Sequence, residues 1–343
     1  MRLTKLIAMM SISAIAILKG YAQEPLTKVL QIGDAAPKLQ VAKWIRGEKI
    51  ETFQPGRIYV LEFWATWCKP CIAGMPHLSV LANKYKEDVE VIAVSVMERK
   101  DTDLAVIEKF VKSMGSKMDF KVAAEKDRYM TTNWLHAAGE RAIPNAIVVD
   151  KEGKIAWIGH TSKLDRVLPE ISAGKWDLTV ARTERTDKQL LAKQDIATIE
   201  LINPYMGNPG DPEGALAKIA TLVKANPKLK YAPKVGNFTF WSLVKTDPLK
   251  ALEYGRAWLS ANDEPSYSVI TDAIYGRKGL PSALYVFAAD AYQAQLDKYP
   301  WSMDFQATYR SMAALYELAG EKEKATDLII KAETIKKETR TEN

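Results

Sequence analysis

The stretch Val60 to Cys71, VLEFWATWCKPC, constrains the chain more than any other. A mostly apolar run, Ile58–Trp64, leads within four residues to Cys68, and Cys68 and Cys71 are the only 2 cysteines among 343 residues. Ile58–Trp64 reads as a strand at a sheet centre, apolar because both faces are covered. A helix is predicted to start at Cys68 and run towards Tyr85, which puts both sulfurs on one face, one turn apart. The first sulfur then lies at the helix tip, where unpaired backbone N–H groups and the helix dipole favour thiolate over thiol.

The compartment bears on what such a pair is for. The N-terminus, MRLTKLIAMMSISAIAILKGYAQEP, has the layout of a secretory signal peptide. Arg2 and Lys5 precede an apolar stretch from Leu6 to Leu18, and Gly20 and Ala22 stand at −3 and −1 of a cut after Ala22. The apolar run is short for a membrane span of about 20 residues, so no transmembrane segment is expected after its removal. Loss of residues 1–22 takes Arg2, Lys5 and Lys19 with it and lowers the formal charge from +6 to +3. The remaining lysines are scattered beside glutamates, without the basic-aromatic interleaving of a nucleic-acid surface, and no nucleic-acid partner is expected.

Exported proteins normally use cysteines as structural staples. Here the loop encloses two residues and would constrain the unfolded chain little. With 47% hydrophobic residues a sizeable core is available without a staple. Redox work is the expected use of the pair. Cys68, outermost, is the attacking nucleophile, and Cys71, a turn inward, resolves the mixed disulfide.

Neighbouring residues fit that chemistry. Pro70 falls in the first helical turn, where its missing N–H costs no bond, and it stiffens the loop. Lys69 adds a positive charge that favours thiolate, unless it is simply a solvated side chain. Glu62 is a lone carboxylate in the apolar strand, and side-chain alternation points it towards a helix-covered face. A buried carboxylate has a raised pKa and can trade a proton with a thiol, so Glu62 is expected to accept the proton of Cys71. The other reading of Glu62 is a structural glutamate at a strand end. A zinc site needs about four ligands, and His77, His136 and His160 do not cluster in sequence; each reads as structural or exposed. No metal and no cofactor beyond the cysteine pair is expected.

Along the chain, residues 24–57 form short alternating pieces broken by Gly33, Pro37, Gly47 and Gly56, read as hairpin and loop. Further strands are expected at Val89–Val96, Asp119–Ala124 and twice within IPNAIVVDKEGKIAWIGH, with a turn at Asp150–Gly153. Helices are expected around Leu104–Val111 and Asp127–Ala138. This alternation implies one mixed sheet with helices on both faces, spanning residues 23–176. Residues 177–189, charged, read as a linker. Residues 190–343 read as all-α, with helices near Leu190–Ile202, Pro212–Ala225, Leu249–Ala261, Ser282–Leu296, Phe305–Ala319 and Glu321–Lys337. They have tetratricopeptide-like helix–turn–helix spacing but no 34-residue period.

FWATWCKPC together with RAIPNAIVVDKEGKIAWIGH resembles the thioredoxin superfamily. The signal segment and IGDAAPKLQV narrow the resemblance to exported TlpA/ResA-like thiol–disulfide oxidoreductases, over residues 30–175. The resemblance implies an α/β thioredoxin-like fold, followed here by an all-α helical-hairpin (TPR-like) domain that the minimal family fold lacks. It implies a cis proline at Pro144 facing the cysteines, with the Ile143 backbone turned to bond an extended substrate. Trp67, Lys69, Pro70, Ile143 and Pro144 would shape the docking surface. Family members of this branch carry a glutamate at the position of Glu62, and their central insertion maps between Val96 and Ile143. The implied activity is reduction of disulfides in exported partner proteins, in the periplasm, with a membrane electron donor. A disulfide oxidase or isomerase, or a scaffold whose helical half carries the main function, are the alternative readings. One departure is CIAGMPHL, with Gly74 where many relatives place a glutamate.

Overall fold

The computed structural model describes residues 29–341 except 208, 263–264 and 301–302, so the signal segment 1–22 lies outside the described residues. The chain divides into two compact units between Thr179 and Val180.

The first unit is built on a six-stranded mixed sheet: β1 (Val41–Arg46), β2 (Ile58–Trp64), β3 (Val89–Ser95), β4 (Lys121–Glu125), β5 (Asn145–Val149) and β6 (Ile155–Gly159). Their order is β1-β4-β3-β2-β5-β6. The central β2 runs parallel to β3 and antiparallel to β5. All seven of its residues are buried, as a strand covered on both faces requires. On one face Ile58, Val60 and Trp64 pack with three helices. These are α1 (Lys69–Lys84), through Met75, Leu78 and Leu81; α2 (Leu104–Met114), through Ile107 and Val111; and α3 (Leu164–Ser172), through Val167 and Leu168. On the other face Tyr59 meets Phe53, ring centroids 4.8 Å apart, and Phe53 meets Trp134 at 5.9 Å. Trp134 belongs to a short π-helical turn, Thr131–His136.

Three expectations change here. No N-terminal hairpin forms among the described residues. β1 pairs antiparallel with β4, and the segment before it follows β6, with Gly33 donating to the Ile155 carbonyl at 2.7 Å and Ala36 to Gly153 at 2.9 Å. Pieces too short to pair with each other take the two open sheet edges instead. The helix expected over Asp127–Ala138 starts only at Tyr129 and runs through the π-turn to His136. Asp127 and Arg128 have φ of 48° and 59°, which no right-handed helix accepts. The expected linker 177–189 is helical, part of α4 (Leu178–Ile202). Its charges lie on an exposed helix surface, and it contains no glycine or proline to break the helix.

All the regular elements among the second unit's described residues are helices. After α4 come α5 (Pro212–Ala225), α6 (Pro233–Thr246), α7 (Pro248–Ser260), α8 (Tyr267–Ile274), α9 (Ser282–Lys298), α10 (Phe305–Ala319) and α11 (Lys322–Thr341). Asp211, Asp247 and Asp304 cap the helices that follow them, each accepting a backbone N–H from the first turn at 2.8–3.1 Å. Helix α6 has no side-chain cap of its own. Buried Asp195 from α4 accepts the N–H groups of Lys234 and Val235 at 2.8 and 3.0 Å instead.

Candidate active site

β2 ends at Trp64, and four residues later α1 begins with Cys68 as its N-cap. The Cys68 sulfur accepts the Cys71 backbone N–H at 3.3 Å. Pro70 occupies the first turn, so the proline removes none of the helix's hydrogen bonds. Cys68 and Cys71 are joined as a disulfide, Cα–Cα 5.3 Å, and both are buried. Lys69 is exposed and Pro70 half-buried. Trp67 is 41% exposed, and its indole N–H donates to the Met97 carbonyl at 3.0 Å.

Glu62 is fully inside the molecule. Its register partners are Ala93 on β3 and Ala146 on β5, two small residues that leave room for a carboxylate. Ala93, Ala146, Met75 and both cysteines belong to one buried cluster on this sheet face. Burial pushes the Glu62 carboxyl well above the ordinary glutamate range. Its Oε2 has no hydrogen-bond partner. A buried carboxyl oxygen without a hydrogen-bond partner is costly.

The Ile143–Pro144 peptide is cis. Ile143 packs against the cluster that holds both cysteines, and Pro144 is buried. The structure thus gathers Cys68, Cys71, Glu62 and Ile143 around one core. His77 Nε2 pairs with Asp165 Oδ2 at 2.7 Å between α1 and α3, and His160 Nδ1 meets the Ser162 hydroxyl at 2.9 Å. The His136 imidazole is held below its usual pKa by burial and by Arg141 and Arg128. Among the described residues no group of three or more His, Cys, Asp or Glu side chains is placed to hold a metal.

Two carboxylates next to the site escaped the sequence reading. Glu98, just beyond β3, accepts the Thr66 N–H at 2.8 Å, the Thr66 hydroxyl at 2.7 Å and the Ser95 hydroxyl at 2.7 Å. Glu125, at the end of β4, accepts the Met97 N–H at 3.0 Å and both the N–H and hydroxyl of Thr131 at 2.9 and 2.8 Å. The available signal was position. Both carboxylates lie at the carboxyl ends of parallel strands, where α/β sheets place their working residues.

Comparison with known proteins matches the same region. The AhpC/TSA family matches residues 32–158, inside the first unit. Protein FixW of Rhizobium leguminosarum is 33% identical over 156 residues, covering 43% of this chain and 68% of FixW. The thiol–disulfide oxidoreductase ResA of Bacillus anthracis is 38% identical over 128 residues, covering 37% of this chain and 68% of ResA. The chain belongs to the thioredoxin superfamily. Its place there is with the TlpA/ResA-like thiol–disulfide oxidoreductases. The crystal structure of StoA from Bacillus subtilis is also similar, at 22% identity and a TM-score of 0.31, over 36% of this chain and 88% of StoA.

Proposed function

We propose that this thioredoxin-superfamily member is an exported, periplasmic reductant of disulfides in partner proteins. The observation that carries the reading is the Cys68–Cys71 pair at the start of α1, on a sheet face that also buries Glu62, whose Oε2 has no hydrogen-bond partner.

In the reduced enzyme, the Cys68 thiolate attacks one sulfur of a partner disulfide. The partner S–S bond breaks, a Cys68–partner bond forms, and the partner's released thiolate takes a proton. Glu62 then accepts the proton of Cys71. The Cys71 thiolate attacks the Cys68 sulfur, the Cys68–partner bond breaks, and the second partner thiol leaves. Two electrons have passed to the partner, and the enzyme holds its disulfide. A membrane electron donor returns two electrons to reset it. Trp67, Lys69, Pro70 and Ile143 form the surface on which the partner docks, and the buried Pro144 shapes it from behind. The sequence of residues 1–22 supports export, and the named activity of the ResA relatives supports the exchange chemistry.

Trapping tests this directly. Cys71→Ser, expressed with its signal segment, should accumulate mixed disulfides with periplasmic proteins through Cys68, and Cys68→Ser should accumulate none. Equal trapping by both variants, or by neither, contradicts the assignment of roles.

A further inference from the structure

We propose that Glu98 is a positioning residue that fixes the docking strap Thr66–Trp67 by hydrogen bonding and not by its charge; the inference rests on the dithiol-exchange reading above. Two adjacent residues beyond β3 grip two adjacent residues ahead of Cys68. Glu98 takes both the N–H and the hydroxyl of Thr66, while the Met97 carbonyl takes the Trp67 indole N–H. Glu98 is anchored in turn by the Ser95 hydroxyl.

The side-chain links that hold the strap are polar. Ser95, Glu98 and Glu125 also line a cavity of about 330 Å³, together with the apolar Val96, Leu104 and Ile107. Met97 has φ of 56°, an uncommon conformation for a residue with a side chain. Both its backbone groups are held, the carbonyl by Trp67 and the N–H by Glu125, and Glu125 is tied to Thr131. Such a conformation persists only where its surroundings over-determine it. The strap, the Met97–Glu98 turn and the Thr131 segment are therefore one hydrogen-bonded unit ahead of the nucleophile.

The bonding pattern separates geometry from charge. Glu98 Oε1 receives the Thr66 N–H and the Ser95 hydroxyl, and a glutamine carbonyl oxygen can do the same. Oε2 receives only the Thr66 hydroxyl, which can turn and accept from a glutamine NH2. Glu98→Gln therefore keeps every link and removes the charge. Glu98→Ala removes both. On the dithiol-exchange reading an extended protein substrate docks against Trp67, whereas a small aromatic disulfide needs only the Cys68 sulfur.

The test uses the full mature chain and two probes, insulin with dithiothreitol as reductant and 5,5′-dithiobis(2-nitrobenzoate). Glu98→Ala is expected to lower kcat/KM for insulin about ten-fold, mainly through KM, with the small disulfide's rate within about two-fold of wild type; Glu98→Gln should stay within about two-fold on both. Thr66→Val, which deletes only the hydroxyl link, should fall between them and supplies the reading if Glu98→Ala fails to fold. Wild-type behaviour of Glu98→Ala and Thr66→Val on insulin would overturn the inference. So would a Glu98→Gln loss equal to that of Glu98→Ala, because charge would then be the cause. A wild-type chain inert towards both probes would overturn the dithiol reading itself, and this inference with it.

Discussion

The Cys71 amide N–H points at the Cys68 sulfur from 3.3 Å, inside the first turn of the helix that Cys68 caps. In the reduced enzyme that donor, with the other free N–H groups of the turn, favours a charged sulfur at Cys68. Cys71, one turn further into the helix, lies beyond the N-cap position that carries this donor. Reduced Cys68 should therefore titrate below the ordinary cysteine value. The check is the pH dependence of alkylation, followed by peptide mass. Cys68 should label first at neutral pH, and preferential labelling of Cys71 would reverse the assigned roles.

Glu62→Gln tests the buried carboxyl in two ways. As the proton acceptor for Cys71, Glu62 should supply a general-base contribution of about 10²-fold or more, so the variant should release mixed disulfides that much more slowly. Attack by Cys68 should change little. Stopped quenching of the insulin reaction separates the two steps.

The same residue sets a pH dependence of stability. Its native pKa is raised by burial above the unfolded glutamate value of about 4.3. Between those two values the folded chain retains a proton that the unfolded chain has lost. The stabilisation is thus present at low pH and declines as pH rises through that window. Glu62→Gln should flatten this decline in denaturant midpoints measured across pH, leaving it more stable than wild type above the window. An unchanged slope would mean that Glu62 does not titrate abnormally.

Two glycines make opposite predictions. Gly74 is exposed in α1, and an added Cβ meets nothing within 4 Å. Gly74→Ala should stabilise by about 0.5–1 kcal/mol through helix propensity. Gly236 lies in α6, where an added Cβ would come within 2.1 Å of Nε1 of the buried Trp258. Overpacking costs about 1–3 kcal/mol and exceeds the propensity gain of about 1, so Gly236→Ala should destabilise. Urea unfolding followed by tryptophan fluorescence reads both signs.

Legibility in the sequence followed the range of the interactions. Ile58–Trp64, Phe305–Ala319 and Pro212–Ala225 carry their own signals, an apolar run or an aspartate cap ahead of the helix, and they match the structure residue for residue. The cysteine pair and Glu62 were legible because their chemistry is conspicuous in an apolar strand and at a helix start. Helix α6 was not. Its segment PKVGNFTFWSLVKT contains weak helix formers, and its cap, Asp195, comes from another helix. The Thr66–Glu98 and Met97–Glu125 links join residues distant in sequence, so nothing local announced them. The positive φ values at Asp127 and Arg128 likewise gave no sign in a segment with helical spacing.

The most direct measurement is the reduction potential of the Cys68–Cys71 pair, from equilibration in dithiol–disulfide buffers read by alkylation and mass. A reductant of partner disulfides requires a value near or below about −270 mV. A value of about −120 to −180 mV would contradict the account, because such a pair would oxidise its partners or reshuffle their disulfides.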